Sequence, residues 1–532
     1  METIECPPAT ITRWLVTFYQ WEELTMFFEN LGFDNHPFAK TNADEEPRLN
    51  EYFVPPPYFD AIVGDSQSPS ASVVLAPRGA GKTAQRRMVE SHAIKSQFLA
   101  VTYDRFEFGA GEKLKDITLQ YHLRNIITRI LISFLSYASE NKDVIRNLSK
   151  EERRQMSVFV QSYLGNIKGD ELQELMKELK SLPERFKTFW KENVGFMEST
   201  LNFLLKSYDL ETIDLPDAKQ EEKRLAETYK YQLEMLLDLV KKLGFKSIYI
   251  LIDRPDETEQ TGNNPEATYR LIRPLIKDLE LLGLRGYGFK FFLWDQVEPY
   301  YREDARPDRV SQYKLNWKRN SLKTVLSSRM KVFSGNRLSC FQELVDPSIN
   351  KDVDEIICLM SNGSPRNMIR ICERIFAVQA ETNSESTVIS SSSIDKGILE
   401  FSEMLFRETY GDVYLRDIQR VGRELFTTNY IANDVLKISG QGARNKITGW
   451  SDVGLVSQIG TVTVPPARRP VNFYCVIDPI AVRLIHRTIP LDQFLNDRWV
   501  PCKCCATDNL INIELYPVDN DAVCRDCGRV LL

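Results

Sequence analysis

The chain of 532 residues reads as an α/β protein with a parallel sheet at its centre, followed by helical and small β modules. Three observations carry that reading. Residues 72–83, SVVLAPRGAGKT, place a short β-type run before a glycine-containing turn and a helix-compatible segment at 84–92. Residues 246–253, KSIYILID, hold an unbroken apolar run at 248–252 that ends in an acid, the pattern of a strand buried on both faces. Residues 290–294, KFFLW, form another short buried strand.

The first stretch is the strand, loop and helix of a phosphate-binding P-loop. Its backbone N–H groups must close around phosphate oxygens, which calls for small residues. The expected cradle is Ala76, Pro77, Arg78, Gly79, Ala80, Gly81, Lys82, Thr83 and Ala84. Gly79 and Gly81 supply backbone freedom, Lys82 reaches the β- and γ-phosphates, and the Thr83 hydroxyl holds Mg²⁺. The helix start adds its positive dipole end. Ala76 stands where the usual pattern opens with glycine. The expected ligand is ATP with Mg²⁺.

Asp253 ends the second strand where a parallel sheet presents ligands. There its carboxylate holds Mg²⁺ directly or through water. Many ATPases place a glutamate directly after this acid to orient the attacking water. Here Arg254 takes that place, so the role passes to Glu257 or Asp256.

Composition bounds the rest. The length suggests about three or four domains. Hydrophobic residues at 43% and charged residues at 27% indicate a globular chain. No apolar run approaches the roughly 18 residues of a membrane span. Residues 1–30 carry Trp14, Tyr19 and Trp21 among charges, unlike a signal or transit peptide, so the expected location is cytoplasmic with no membrane partner. A net charge of −6 excludes a chain-wide electrostatic nucleic-acid binder and leaves only local patches. Cys6, Cys340, Cys358, Cys372 and Cys475 are scattered and read as reduced thiols.

In chain order, residues 10–31 show helical spacing with Trp14, Leu15, Phe18, Phe27 and Phe28 on one face. Residues 51–59, EYFVPPPYF, are stiffened by proline; Tyr52, Phe53, Tyr58 and Phe59 either cover the nucleotide base or pack the sheet edge. Residues 101–105 suit a core strand. Residues 114–243 form a long helical insertion with a solvated charged face. Residues 266–282 suit a helix, and Asp295 follows the strand at 290–294, where a residue would sense the γ-phosphate. Residues 300–313 carry Arg302, Arg306 and Arg309, which suit either an arginine finger or a solvent loop. Residues 315–333 close the core.

Residues 352–380 are helical and contain NGSPRN at 362–367. Gly363 ends one helix, Ser364 caps the next and Pro365 opens it. Arg366 then sits in a first turn, against the helix dipole, which suggests a separate task such as phosphate contact. Residues 382–393 read as a serine-rich linker. Residues 394–487 place short helices before two β-branched strands, 456–464 and 471–477, the order of a winged helix-turn-helix. Arg468 and Arg469 fall at the wing tip. Arg416, Arg420, Arg423, Lys437, Arg444 and Lys446 line one face, diluted by acids, so DNA and an effector protein both stay open as its partner.

The tail carries Cys502, Cys504, Cys505, Cys524 and Cys527. Two C-x₂-C pairs, Cys502 with Cys505 and Cys524 with Cys527, fit a four-cysteine Zn²⁺ site, with Cys504 as a possible substitute in the first pair. So short a tail needs such a staple to fold.

Together these pieces resemble the AAA+ ATPases of the origin-recognition type, most of all bacterial P-loop ATPases of that broad group. The resemblance rests on APRGAGKT at 76–83, YILIDRPDE at 249–257, KFFLW at 290–294 and NGSPRN at 362–367. It implies that residues 362–367 open the sensor-2 helix of a lid and that Arg366 contacts the γ-phosphate. It also implies ATP-dependent homo-oligomers, and several bacterial relatives sit in antiviral defence loci. The departures are Arg254 and an unassigned arginine finger. The expected organisation is an N-terminal helical segment at 1–43, a P-loop core at 44–335 and a helical lid and linker at 336–393. A winged-helix-like domain at 394–495 and a zinc ribbon at 496–532 complete it. The expected function is an Mg-dependent ATPase regulator in which Lys82, Asp253, Asp256, Glu257 and Arg366 act on ATP. A slow-turnover, ATP-bound switch acting through protein contacts is the alternative.

Overall fold

The computed structural model describes residues 26–108, 113–140, 143–165, 167, 169–179, 208, 210, 229–347, 352–463, 470–512, 514 and 522–531. These fall into two compact units. One is Pro55–Asn316; the other joins the described residues of Met1–Val54 to those of Trp317–Leu532. The two ends of the expected 44–335 core therefore belong to the second unit.

The first unit is built on five parallel strands: β1 Ser72–Ala76, β2 Phe98–Tyr103, β3 Ser247–Asp253, β4 Tyr287–Trp294 and β5 Ser311–Lys314. Their order across the sheet is β2-β3-β4-β1-β5. The first four are buried nearly throughout, which is why they read as unbroken apolar runs. β5, with the polar sequence SQYK, is an edge strand that begins inside residues 300–313, the stretch read as suiting an arginine finger or a solvent loop. The predicted α/β P-loop class is the fold observed. The loop leaves the carboxyl end of β1 and enters α1, Lys82–Ser96.

The inserted helices share the sheet's core. α2, Leu119–Glu140, buries Leu123, Ile127, Ile130 and Phe134 in the same cluster as β2 and β3. α3, Lys150–Phe159, begins with a capping box between Ser149 and Glu152. α4, Gly169–Glu178, and α5, Tyr229–Lys242, follow. Residues 180–207 and 211–228 of the expected insertion lie outside the described residues. α6, Pro265–Lys277, stops at Asp278, and a separate turn, Leu279–Leu282, completes the helix expected at 266–282. α7, Glu298–Asp304, precedes β5.

In the second unit, α8, Arg319–Phe333, carries Arg329 into a buried ion pair with Glu46 at 2.7 Å. α9, Val353–Met360, and α10, Pro365–Thr382, meet at the turn 362–364, where Ser364 caps α10 through the Asn367 N–H. α11, Ser391–Tyr410, and α12, Asp412–Val421, lead to β6, Leu425–Thr427. α13, Gly440–Asp452, follows, then β7, Val456–Val462, and β8, Val471–Val476. These strands form an antiparallel sheet ordered β6-β8-β7, so the expected two-stranded ribbon gains a third strand from the stretch where only short helices were expected. Arg468 and Arg469 lie outside the described residues, as does most of the expected helix at 10–31. α14, Pro479–Ile485, and α15, Leu491–Arg498, connect to the short hairpin of β9, Trp499–Pro501, and β10, Asp508–Leu510.

Candidate phosphate-binding site and cysteine cluster

The loop after β1 turns on Gly79 and Gly81, whose φ angles of 77° and 95° are left-handed and suit glycine. Gly81 is the cap of α1, so the first-turn N–H groups at Lys82, Thr83 and Ala84 begin a helix with no carbonyl behind them. Lys82 folds back over the loop and its Nζ donates to the carbonyls of Ala76 and Pro77, each at 3.2 Å. Burial lowers the pKa of its ammonium, and the carboxylates of Asp256, Asp253 and Asp295 oppose that shift.

Asp253, the last residue of β3, is fully buried. Its Oδ2 accepts from Thr83 Oγ1 at 2.9 Å and from Arg86 Nε at 3.1 Å, while Oδ1 accepts from the Arg254 N–H at 3.1 Å. Burial pushes its carboxyl pKa up, and the Arg86 guanidinium is the strongest force holding it down. Arg86 also donates to Glu90 at 2.8 Å. Thr83, Arg86 and Glu90 share one face of α1 through their spacing of three and four residues. Arg254 has a φ of 58°, a left-handed turn that carries the chain away from the sheet directly after the acid.

Arg78 leans across this group. Its Nε and Nη2 donate to Asp256 Oδ2 at 3.0 and 2.9 Å, and its guanidinium lies over the Trp294 ring at 4.2 Å from the centroid. The loop, the turn after β3 and the end of β4 are thereby tied together, with Asp295 the residue after Trp294. Burial raises the Asp295 pKa, and Lys82 opposes it.

The structure thus brings Lys82, Thr83, Asp253 and, through Arg78, Asp256 to the carboxyl ends of neighbouring strands. Glu257 is elsewhere. Its exposed side chain pairs with Arg254 at 3.7 Å and lines a cleft of about 810 Å³ with Asp104, Arg105, Phe106 and Phe108; no P-loop residue lines this cleft. Arg366 is exposed on the first turn of α10, in the other unit. Three of the four aromatics ahead of β1 are engaged in packing. Phe59 is buried, and Tyr58 stacks on Tyr313 of β5 at 5.0 Å; Tyr52 is buried and receives a hydrogen bond from Arg329. Arg302 pairs with Glu298 on α7. Arg86 and Trp294 carry no distinguishing sign in the sequence. Only the helical spacing of Arg86 from Thr83 points to it.

In the second unit, the thiols of Cys502, Cys505, Cys524 and Cys527 lie within 4.8 Å of one another, with Cys502 3.7 Å from Cys527 and Cys505 3.6 Å from Cys524. Four sulfurs at about 2.3 Å from a tetrahedral Zn²⁺ would stand about 3.8 Å apart, so the cluster fits that ion. Cys504 is exposed and outside the cluster. Lys318 donates to Thr507 and pairs with Asp526, and Arg319 pairs with Asp508 while stacking on Trp499 at 4.6 Å. Both turns of the cysteine module are thus tied to the start of α8.

Arg416 and Arg420 are exposed one turn apart on α12; Arg423 lies beyond the helix, after the left-handed Gly422, with its guanidinium over the Tyr430 ring at 4.3 Å, and Lys446 pairs with Asp417 at 2.8 Å. No described helix is long and apolar enough to cross a membrane.

No family model and no curated protein matches this chain. Solved structures to which it is similar include the Aeropyrum pernix ORC1 protein in complex with DNA, at 11% identity and a TM-score of 0.34. That match covers 86% of this chain and 98% of that one. Another is Cdc6p from Pyrobaculum aerophilum, at 12% identity and a TM-score of 0.31, covering 85% and 98%. A third is Drosophila ORC bound to DNA, at 12% identity and a TM-score of 0.29, covering 88% and 91%. Likeness at that level says nothing of activity, substrate or partner.

Proposed function

We propose that this protein is an AAA+-type regulator that binds ATP with Mg²⁺, hydrolyses it, and couples nucleotide state to self-assembly and to DNA or a protein partner. The observation that carries the reading is the Thr83–Asp253 hydrogen bond, set beside Lys82 inside a loop turned on Gly79 and Gly81. Lys82 offsets phosphate charge, and Thr83 and Asp253 would hold Mg²⁺, whose charge would stabilise the transferring phosphoryl group. Phosphoryl transfer needs little beyond positioning and charge stabilisation. Water would attack the γ-phosphorus, the bond to the β–γ bridging oxygen would break, and ADP and phosphate would leave. Asp256 is better placed than Glu257 to orient that water, because it is joined to the loop through Arg78. Arg366 would report the γ-phosphate from the lid. The module at 394–495 serves as a winged helix with Arg416, Arg420 and Arg423 on its basic face, and Zn²⁺ on the four cysteines holds the tail. A role in antiviral defence rests on the motif resemblance alone.

One observation favours a slow-turnover switch as the second reading. Arg254 stands directly after the metal acid, and Asp256 is engaged by Arg78. The test is ATP binding and turnover of the full chain, with and without duplex DNA, beside Lys82→Ala. DNA-stimulated turnover that Lys82→Ala abolishes supports the first reading. Tight binding with negligible turnover under both conditions moves the conclusion to the switch. Unchanged ATP binding in Lys82→Ala overturns both.

A further inference from the structure

We propose that Arg78 is a γ-phosphate-binding cation held in reserve by Asp256, and that ATP draws it from the carboxylate to the terminal phosphate. The inference rests on the P-loop reading above. Arg78 belongs to the loop itself, one residue before the turn at Gly79, so its side chain springs from the wall of the phosphate cradle. Its present partner uses it incompletely. Nε and Nη2 both donate to the one carboxylate oxygen Oδ2 of Asp256, Nη2 also reaches the Asp256 backbone carbonyl at 3.4 Å, and among the described residues Nη1 has no partner. A guanidinium fork matches two oxygens of one anion, and a terminal phosphate offers three with more charge than a carboxylate.

The path of the exchange is built in. Trp294 lies beneath the guanidinium at 4.2 Å, and in the sheet Trp294 is the register partner of Ala76, the root of the loop. The flat cation can slide over the indole face from Asp256 toward the loop without losing its aromatic support. Arg78 is part-exposed, at 38%, whereas the Asp256 side chain is only 4% exposed. The arginine is therefore the mobile partner and the carboxylate the fixed one.

The departure of Arg78 has a consequence for Asp256. A carboxylate that deep is costly to leave without a donor. With Arg78 gone, a water must take its place, and a water held by a carboxylate beside the phosphate cradle is the one placed to attack. The same movement would register the third phosphate and prepare its hydrolysis. ADP has no group to draw Arg78 away, so the pair stays closed with ADP bound.

The test measures affinities of the full chain for ATP and ADP, each with Mg²⁺, by calorimetry for wild type, Lys82→Ala, Arg78→Ala, Arg78→Lys and Asp256→Asn. Circular dichroism melting checks that each variant is folded. Arg78→Ala should weaken ATP about tenfold, the scale of a charged hydrogen bond, and move ADP far less. Arg78→Lys should recover part of the loss. Asp256→Asn removes the competing anion, so ATP should bind several-fold tighter while ADP is unchanged and turnover falls. Equal shifts for ATP and ADP in Arg78→Ala overturn the proposal, as does weaker ATP binding in Asp256→Asn, because the pair would then only brace the loop. If Lys82→Ala binds ATP like wild type, the P-loop reading itself has failed. If Lys82→Ala loses ATP and the Arg78 pattern is absent, only this inference has.

Discussion

Arg86 Nε lies 3.1 Å from Asp253 Oδ2, and neither side chain has any exposed surface. Taking two charges out of water is expensive, and the pair persists because each is hydrogen-bonded again: Arg86 to Glu90 and Asp253 to Thr83. Arg86→Met should therefore leave Asp253 and Glu90 uncompensated in the core and destabilise the fold by about 3–5 kcal/mol. Urea denaturation followed by circular dichroism measures this. A loss below about 1 kcal/mol would mean the pair is open to water, unlike its geometry here.

Much of the first unit was legible because a parallel strand covered on both faces must be apolar along its length, as β3 and β4 are. β5 escaped for the converse reason. At the sheet edge its residues Ser311, Gln312, Tyr313 and Lys314 need no apolar pattern. β6 is only Leu425–Thr427, too short to show a period. At the site, residue type and spacing marked the loop and Asp253, but a buried arginine is spelled like an exposed one, so Arg86 showed nothing beyond its helical spacing from Thr83. Nor does the sequence show that Arg254 takes a left-handed turn, which aims Glu257 at a cleft of its own. Cys504 and Cys505 differ only in which turn position each fills.

His122 should make the fold acid-sensitive above pH 4. Its Nε2 donates to the Leu271 carbonyl at 2.7 Å, so Nδ1 accepts from Tyr103 OH at 2.9 Å, and burial lowers its pKa to about 4. The unfolded chain takes up a proton near pH 6.5 and the folded one cannot until about pH 4. Stability is thus fully present above pH 6.5, falls as pH drops through that window, and levels off below the folded value. The loss by pH 5 is about 2 kcal/mol from this group. His122→Gln, compared with wild type in thermal melts from pH 7 to 4.5, should flatten part of the slope. His36, also lowered to about 4 chiefly by burial, supplies a second increment that survives the substitution.

The cysteine module should bind Zn²⁺ without Cys504. Metal content measured after gel filtration should be about one ion per chain for wild type and for Cys504→Ser, and close to none for Cys524→Ser. Chelation should also disturb Trp499, because Arg319 stacks on it and its Nε1 donates to Asp508, next to Thr507 in the first cysteine turn. The readout is tryptophan emission on adding a strong chelator. Unchanged emission with the metal removed would show that the turns hold their shape without it.

Glu257 and Asp256 differ in what surrounds them, and turnover should separate them. Loss of a group that orients or deprotonates the nucleophile costs about 10²–10⁴-fold in rate. Asp256 is buried and bonded to the loop, so Asp256→Asn should fall in that range. Glu257 is more than half exposed, at 59%, and lines the cleft beside β2 and β3, so Glu257→Gln should change turnover by no more than about threefold. Steady-state phosphate release from both variants, with ATP affinity measured alongside, distinguishes a slower chemical step from weaker binding. A large loss in Glu257→Gln with affinity intact would require the turn at Arg254 to close over the nucleotide during catalysis, swinging Glu257 from its cleft to the phosphates.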